Sequence, residues 1–124
     1  MEFVELQYNN RYYEYCDSSD INMCILGRFF TSDVGNSIRF YKEWALDDGA
    51  LGASGNITFL EKEDEYVYLS DLYSEEDAPT RLKISLRQFL KLLEDWDSII
   101  KLAHRPERLM ITYENDQFSI EAVN

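Results

Sequence analysis

The strongest structural signal in the chain is an amphipathic helix that begins after Ser85. Ser85 and Gln88, three residues apart, have the pattern of a capping box, in which both side chains satisfy free N–H groups at the start of a helix. The pattern predicts a helix of about eighteen residues that ends at His104-Arg105-Pro106 and packs on a sheet. Apolar residues with the spacing of one helical face follow Ser85: Leu86, Phe89, Leu90, Leu93, Trp96, Ile100 and Ala103.

Most other apolar segments have the composition of strands. Residues 2–15 predict two strands joined by a turn at Asn9-Asn10. Residues 56–61 and 65–72 predict a second pair, and in the latter Tyr66 and Tyr68 alternate with inward-facing aliphatic residues. In residues 21–30, INMCILGRFF, alternate positions would give a strand with apolar residues on both faces. This pattern favours a strand near the middle of a sheet.

The end of the chain and the segment after residue 30 add two further elements. A second helix is predicted after a cap at Thr31, Ser32 or Asp33, and it ends near residues 47–49. Its predicted apolar face consists of Val34, Ile38, Tyr41 and Ala45. A closing hairpin is predicted to pair Leu109, Ile111 and Tyr113 with Phe118 and Ile120.

Together these patterns predict an α+β fold. The chain has 124 residues, of which 45% are hydrophobic, and this length fits one domain with one core. We therefore expect a single domain, residues 1–124, in which an antiparallel or mixed sheet of about six to seven strands packs on two main helices.

The charge of the chain restricts its partners. There are 24 acidic and 12 basic residues, which give a net charge of -12. Direct binding to nucleic acid is disfavoured because phosphate contacts need positive charge, so basic proteins are the expected partners. The chain has no signal-peptide pattern and no apolar run of membrane-spanning length. We expect a cytoplasmic protein in which Cys16 and Cys24 stay reduced.

The acidic residues are concentrated in residues 61–77, EKEDEYVYLSDLYSEED, where eight acids stand against one lysine. Acids interleaved with tyrosines suit docking to a basic partner, through long-range steering and aromatic contacts. The alternative is a solvated strand pair with a polar loop. The bases are concentrated between Arg81 and Arg108, where we expect them on the solvent face of the helix. The predicted partner-binding residues are Trp44, Asp47, Asp48, Glu61, Glu63, Asp64, Glu65, Tyr66, Tyr68, Asp71, Tyr73, Glu75, Glu76 and Asp77.

Nothing in the sequence has the pattern of a catalytic or cofactor site. The chain has one histidine, His104, at a predicted helix end where histidine is common. Two cysteines do not make a four-ligand zinc site, and the acidic turn lacks the spacing of a calcium-binding EF-hand. The glycine-rich residues 49–56 lack a phosphate-binding motif, which favours a flexible connection. We expect no catalytic residue, no cofactor and no metal.

The last forty residues carry a resemblance to a known class of proteins. In residues 84–123 a helix of pattern S-x-x-x-F-x-x-x-L-x-x-W precedes a basic loop with proline and a terminal strand pair. This block resembles the C-terminal half of bacterial immunity proteins of contact-dependent growth inhibition and related polymorphic toxin systems. The resemblance implies a cytoplasmic inhibitor that binds the C-terminal toxin domain of its cognate effector, often a basic nuclease. It implies no catalytic residues.

Two other functions remain open from the residues. An acidic mimic of nucleic acid would inhibit a DNA-binding or RNA-binding protein by the same charge logic, but such mimics space carboxylates over a whole surface. A non-catalytic interaction subunit would also use an acidic face. A small enzyme would need carboxylates in an apolar cleft, for which the sequence offers no pattern.

Overall fold

The computed structural model describes residues 1–74 and 80–123. These residues form eight strands, three α-helices and one π-helical segment. In chain order they are β1 Glu2–Tyr8, β2 Tyr13–Ser18, α1 Ile21–Arg28, the π-helical segment Phe29–Val34, α2 Ile38–Leu46, β3 Gly52–Ser54, β4 Thr58–Glu63, β5 Tyr66–Asp71, β6 Arg81–Ser85, α3 Leu86–Ile100, β7 Arg108–Glu114 and β8 Gln117–Ala122.

The strands form two antiparallel sheets of four strands each, in the orders β2-β1-β7-β8 and β3-β4-β5-β6. The α+β class is confirmed, whereas the prediction of one sheet with six to seven strands is wrong. The first sheet joins strands that are distant in sequence, since Val4 of β1 pairs with Ile111 of β7. The second sheet is a meander of consecutive strands.

Helices α1 and α3 lie between the sheets, and α2 packs against α3. Helix α1 contacts β1 and β2 on one side and β5 and β6 on the other, while α3 contacts β8, β5 and β6. Gly27 of α1 lies directly against β1, where an added Cβ would overlap the Cγ2 methyl of Val4 and lie 3.2 Å from its Cγ1. The close approach of α1 to the first sheet therefore requires a glycine. The largest fully buried side chains are Trp96, Phe29, Phe30, Phe89, Leu6, Met23, Leu26, Leu60, Leu69, Ile84, Leu92 and Leu93.

Residues 21–30 form a helix, so the prediction of a central strand is wrong. Asp20 is the N-cap and accepts a hydrogen bond from the backbone N–H of Met23 at 2.9 Å. The chain then continues into the π-helical segment, which ends at Gly35 with a φ of 45°. Nearly every position in this stretch is apolar, and such a run does not distinguish a buried strand from a buried helix by periodicity. The cap at Asp20 is the local signal that decides for the helix.

The second predicted helix is confirmed, but it begins later than expected. Its N-cap is Ser37 rather than a residue between 31 and 33, and Val34 belongs to the preceding π-helical segment. Ile38, Tyr41 and Ala45 are buried as predicted. Part of the glycine-rich connection forms β3, which pairs with β4.

The third helix and the closing hairpin are confirmed, but the helix ends at Ile100, before the predicted end at residues 104–106, so Ala103 lies outside it. Helix α3 has 15 residues, and the Ser85 hydroxyl accepts a hydrogen bond from the Gln88 N–H at 3.2 Å. The Gln88 side chain does not return to Ser85. Its Oε1 accepts from the N–H of Phe118 at 2.9 Å and its Nε2 donates to the carbonyl of Asp116 at 2.8 Å, which ties α3 to the β7–β8 hairpin. The predicted facing pairs, such as Ile111 with Ile120, are present.

Candidate functional site

Lys62, the one base in the acidic stretch, is directed toward the end of α2. Its ammonium group donates to the carbonyl of Trp44 at 2.8 Å, to that of Ala45 at 3.4 Å and to that of Asp47. These carbonyls at the C-terminal end of α2 carry partial negative charge and favour a cation. Lys62 therefore stabilises the helix end instead of neutralising the carboxylates beside it in the sequence.

The same lysine brings two acidic segments together. Its backbone N–H donates to the carbonyl of Leu51 at 2.8 Å, so the loop after α2 lies along β4, next to the β4–β5 turn. We call the exposed carboxylates of these two segments the acidic corner. Within the described residues none of them forms an ion pair, although the chain's positions 1–74 and 80–123 contain all of its lysines and arginines. The acidic corner consists of Asp47, Asp48, Glu63, Asp64 and Glu65.

Two exposed leucines adjoin the acidic corner. Leu46, the last residue of α2, is 65% exposed, and Leu51 is 72% exposed. Apolar side chains inside a charged rim are the arrangement found in protein interfaces. The sequence analysis missed both residues. For Leu46 the signal was available, because it follows Ala45 directly and falls off the apolar face of α2.

The tyrosine face of the second sheet is mixed in charge, not acidic. Tyr66 and Tyr68 point outward from β5 while their neighbours in the strand are buried, as the alternation predicted. Strand β6 places the Lys83 ammonium 4.1 Å from the Tyr66 ring centroid and the Arg81 guanidinium 4.2 Å from that of Tyr68. Arg81 also lies 3.6 Å from Glu61. The expectation that all bases after residue 80 lie on the back of the helix is therefore wrong for these two.

The other predicted interface residues are divided among different places. Trp44 is 7% exposed and packs edge-on against Phe89 at 6.2 Å between ring centroids, so it belongs to the core and does not act as a surface anchor. Asp71 lies at the far end of β5 from the acidic corner, and Tyr73 is exposed in the turn that follows. The predicted residues Glu75, Glu76 and Asp77 lie outside the described residues.

A buried polar cluster connects the π-helical segment to the β3–β4 loop. Asp33 accepts hydrogen bonds from the N–H groups of Asn56 at 3.0 Å and Ile57 at 3.1 Å. Burial, and secondarily the nearby Asp33 carboxylate, raises the pKa of Tyr41 to about 12. A Cβ at Gly55 would lie 2.6 Å from both Asp33 Oδ2 and the Tyr41 hydroxyl, so this cluster is closed to ligands and its role is structural.

Catalytic and metal-binding groups were also sought in the described ranges. No group of three His, Cys, Asp or Glu residues in positions 1–74 and 80–123 is arranged to hold a metal ion. His104 is exposed beyond the end of α3, and Cys16 and Cys24 are free thiols. None of the helices in this part of the chain combines the length and apolar character needed to cross a membrane.

Comparison with known proteins gave no matching family model, no similar curated protein and no similar solved structure.

Proposed function

We propose that this protein is a cytoplasmic immunity protein that neutralises a cognate toxin domain, a basic nuclease. The acidic corner docks on the active site or substrate cleft of the toxin. The observation that supports this most directly is a set of exposed carboxylates, next to Leu46 and Leu51, that form no ion pair within residues 1–74 and 80–123 and from which Lys62 is turned away. The resemblance of residues 84–123 to immunity proteins supports the class of partner.

The charge of the acidic corner suits a nuclease cleft. A nuclease concentrates lysine and arginine along the path of its nucleic acid, and carboxylates form short charge-assisted hydrogen bonds with the same groups. Opposite charge also raises the rate of association, which matters for an inhibitor that must capture an incoming toxin. Both segments of the corner are held by the contacts of Lys62, so little ordering is needed on binding.

A mimic of nucleic acid is the second candidate, and the ion pairs on α3 argue against it. The carboxylates of Asp95 and Asp97 lie 2.7 Å from the ammonium groups of Lys91 and Lys101 on the same helix. The negative charge of these two residues of α3 is thus compensated locally. A surface that imitates a phosphate backbone would leave such carboxylates available to the partner.

Charge reversal at the acidic corner tests the proposal. The toxin is the C-terminal domain encoded directly upstream of this gene, co-expressed with the protein. We expect the triple variant D48K/E63K/E65K to lower the association rate by about tenfold or more and to abolish growth rescue, because it removes the steering charge. The matched control, E2K/E114K/E121K, changes the net charge equally at exposed acids of the first sheet and should retain rescue.

Circular dichroism and urea unfolding would verify that both variants fold. Full rescue by the corner variant, or equal loss in both variants, would show that the toxin docks elsewhere. Absence of binding by the unaltered protein would exclude the immunity function for that toxin.

A further inference from the structure

A cavity of about 440 Å³ lies between α1 and the ends of β4 and β5, away from the acidic corner. Its apolar wall is formed by Ile21 and Ile25 of α1 and by Ile57, which precedes β4. Pockets for small molecules in proteins have volumes of roughly 300 to 1,000 Å³, with mainly apolar walls and a few polar groups. The volume of this cavity falls in that range, and its lining combines these apolar side chains with polar ones.

The cavity also contains two opposite charges that do not pair with each other. Arg28 of α1 and Asp71 of β5 both line it, and within residues 1–74 and 80–123 neither takes part in an ion pair. The Asp71 Oδ1 accepts one hydrogen bond, from the N–H of Tyr73 at 2.9 Å. Among the described residues, a cation and an anion on one cavity are thus without an ion-pair partner.

A second cavity differs from the first because the charged side chains that line it pair with each other. The groove of about 420 Å³ between α2 and α3 is lined by Arg39, Glu43, Asp97 and Lys101. There the charges already pair, Arg39 with Glu43 at 2.9 Å and Lys101 with Asp97 at 2.7 Å. A charged ligand would have to break these contacts, whereas in the α1 cavity it would gain new ones.

We propose that the α1 cavity binds a free apolar amino acid. The carboxylate pairs with Arg28, the ammonium group pairs with Asp71, and the side chain packs on Ile21, Ile25 and Ile57. Arg28 and Asp71 are exposed at the mouth of the cavity, so a ligand with only one charge would form one of the two ion pairs and lose the contribution of the other. This site is independent of the proposed docking surface, since Asp71 lies at the opposite end of β5 from Glu65.

Cys24 provides the readout, because it is one of the residues that line the cavity, while Cys16 is exposed on β2. The rate at which iodoacetamide alkylates Cys24 would be measured in the C16S protein with increasing L-leucine. We expect leucine to slow alkylation several-fold and saturably. It should leave Cys16 in the C24S protein unaffected.

Two half-ligands and two variants test the assignment of the charges. The carboxylate 4-methylpentanoate and the amine isopentylamine each lack one charged group of leucine, and each should need about tenfold more ligand or greater for equal protection. R28Q and D71N should weaken protection by leucine similarly. R87Q, at an exposed arginine of α3, is the matched control, and leucine should protect its Cys24 as well as it does in the protein with an unaltered cavity.

Chemical shifts of backbone amides in α1 and at the end of β5 provide a second measurement if Cys24 reacts too slowly. No saturable protection and no shifts with leucine, isoleucine, valine, methionine or phenylalanine would overturn the proposal. Equal protection by 4-methylpentanoate, or unchanged protection in D71N, would also overturn it. Protection of Cys24 by a bound toxin but by none of these amino acids would assign the cavity to a protein side chain instead.

Discussion

Lys62 determines how negative its surroundings are. In the sequence it is the single base among eight acids, yet its ammonium group is occupied by carbonyls at the end of α2 and lies 5.1 Å from the Trp44 ring centroid. The lysine thereby stabilises a helix end, and within the described residues the carboxylates of Glu63, Asp64 and Glu65 form no ion pair. The contact of the Lys62 ammonium with these carbonyls thus stabilises α2 and also keeps the positive charge away from the acidic corner.

Replacing this lysine tests its structural role. We expect K62M to lower the free energy of unfolding by about 1 to 2 kcal/mol, because the carbonyls of Trp44, Ala45 and Asp47 lose a charged donor. Urea unfolding monitored by tryptophan fluorescence measures the change. K83M, at the exposed lysine beside Tyr66, is the control and should cost less than K62M. An equal loss in both variants would contradict a specific role for Lys62.

The buried hydroxyl of Tyr41 predicts a loss of stability in alkali. Its pKa is raised to about 12, whereas an unfolded tyrosine ionises near 10. Between about pH 10 and 12 the unfolded chain releases this proton and the folded protein retains it, so the free energy of unfolding falls as the pH rises. Below about pH 10 the contribution is complete.

Urea unfolding at several pH values across this window checks the prediction. Y41F should show a shallower decrease of stability than the unaltered protein. Y12F, at an exposed tyrosine, should follow the unaltered protein. Identical slopes for Y41F and the unaltered protein would show that Tyr41 ionises equally in both states.

Helix α1 contacts both sheets, as α3 also does. Its distance from the first sheet is set where Gly27 meets Val4. Its start is set by the side chain of Asp20, and its continuation through the π-helical segment buries Phe29 and Phe30. A strand at this position would not have filled the space between the sheets.

An added methyl group at Gly27 should force α1 away from β1. We expect G27A to lower the free energy of unfolding by about 1 to 3 kcal/mol, as over-packing in a core does. The loss should be smaller when V4A removes the opposing methyl groups, which a double-mutant cycle measures.

The matched control for this substitution is G49A. Its added Cβ would have Asp47 Oδ1 as a neighbour at 3.5 Å, an ordinary contact. G49A should therefore cost less than G27A. Strict additivity of G27A and V4A would show that the helix and the strand do not meet as described.

The distribution of charge over the protein predicts how it meets a partner. The net charge is -12, and the unpaired part of it includes the acidic corner, while α3 and the tyrosine face carry compensating bases. Such a field acts over about 10 Å at 0.1 M salt and is screened beyond that distance. The approach to a basic partner should therefore be oriented.

Salt should slow association with the toxin more than it speeds dissociation. Raising the salt concentration from about 50 to about 500 mM should lower the association rate constant by about tenfold or more. Stopped-flow mixing measures both rates. The association rate constant should depend less on ionic strength for D48K/E63K/E65K than for E2K/E114K/E121K. Equal dependence in both variants would show that the acidic corner is not the steering surface.

Patterns within one segment were sufficient for several elements. The cap at Ser85 and the spacing of three and four residues predicted α3, and alternation predicted which residues of β5 are buried and the pairing of Ile111 with Ile120. In each case the deciding residues are neighbours on one helical or strand face, so the preference is local. The acidic stretch of residues 61–77 could also be identified from the sequence, because counting acids requires no structure.

The tertiary structure decided the rest, because pairing and packing join residues that are distant in sequence. It divided the strands into two sheets and made residues 21–30 a helix, since an apolar run takes the form that fills the core. It moved Arg81 and Lys83 onto the tyrosines and buried Trp44. The sequence alone determined how many charges the protein carries. Which of them remain unpaired depended on the distances between side chains in the fold.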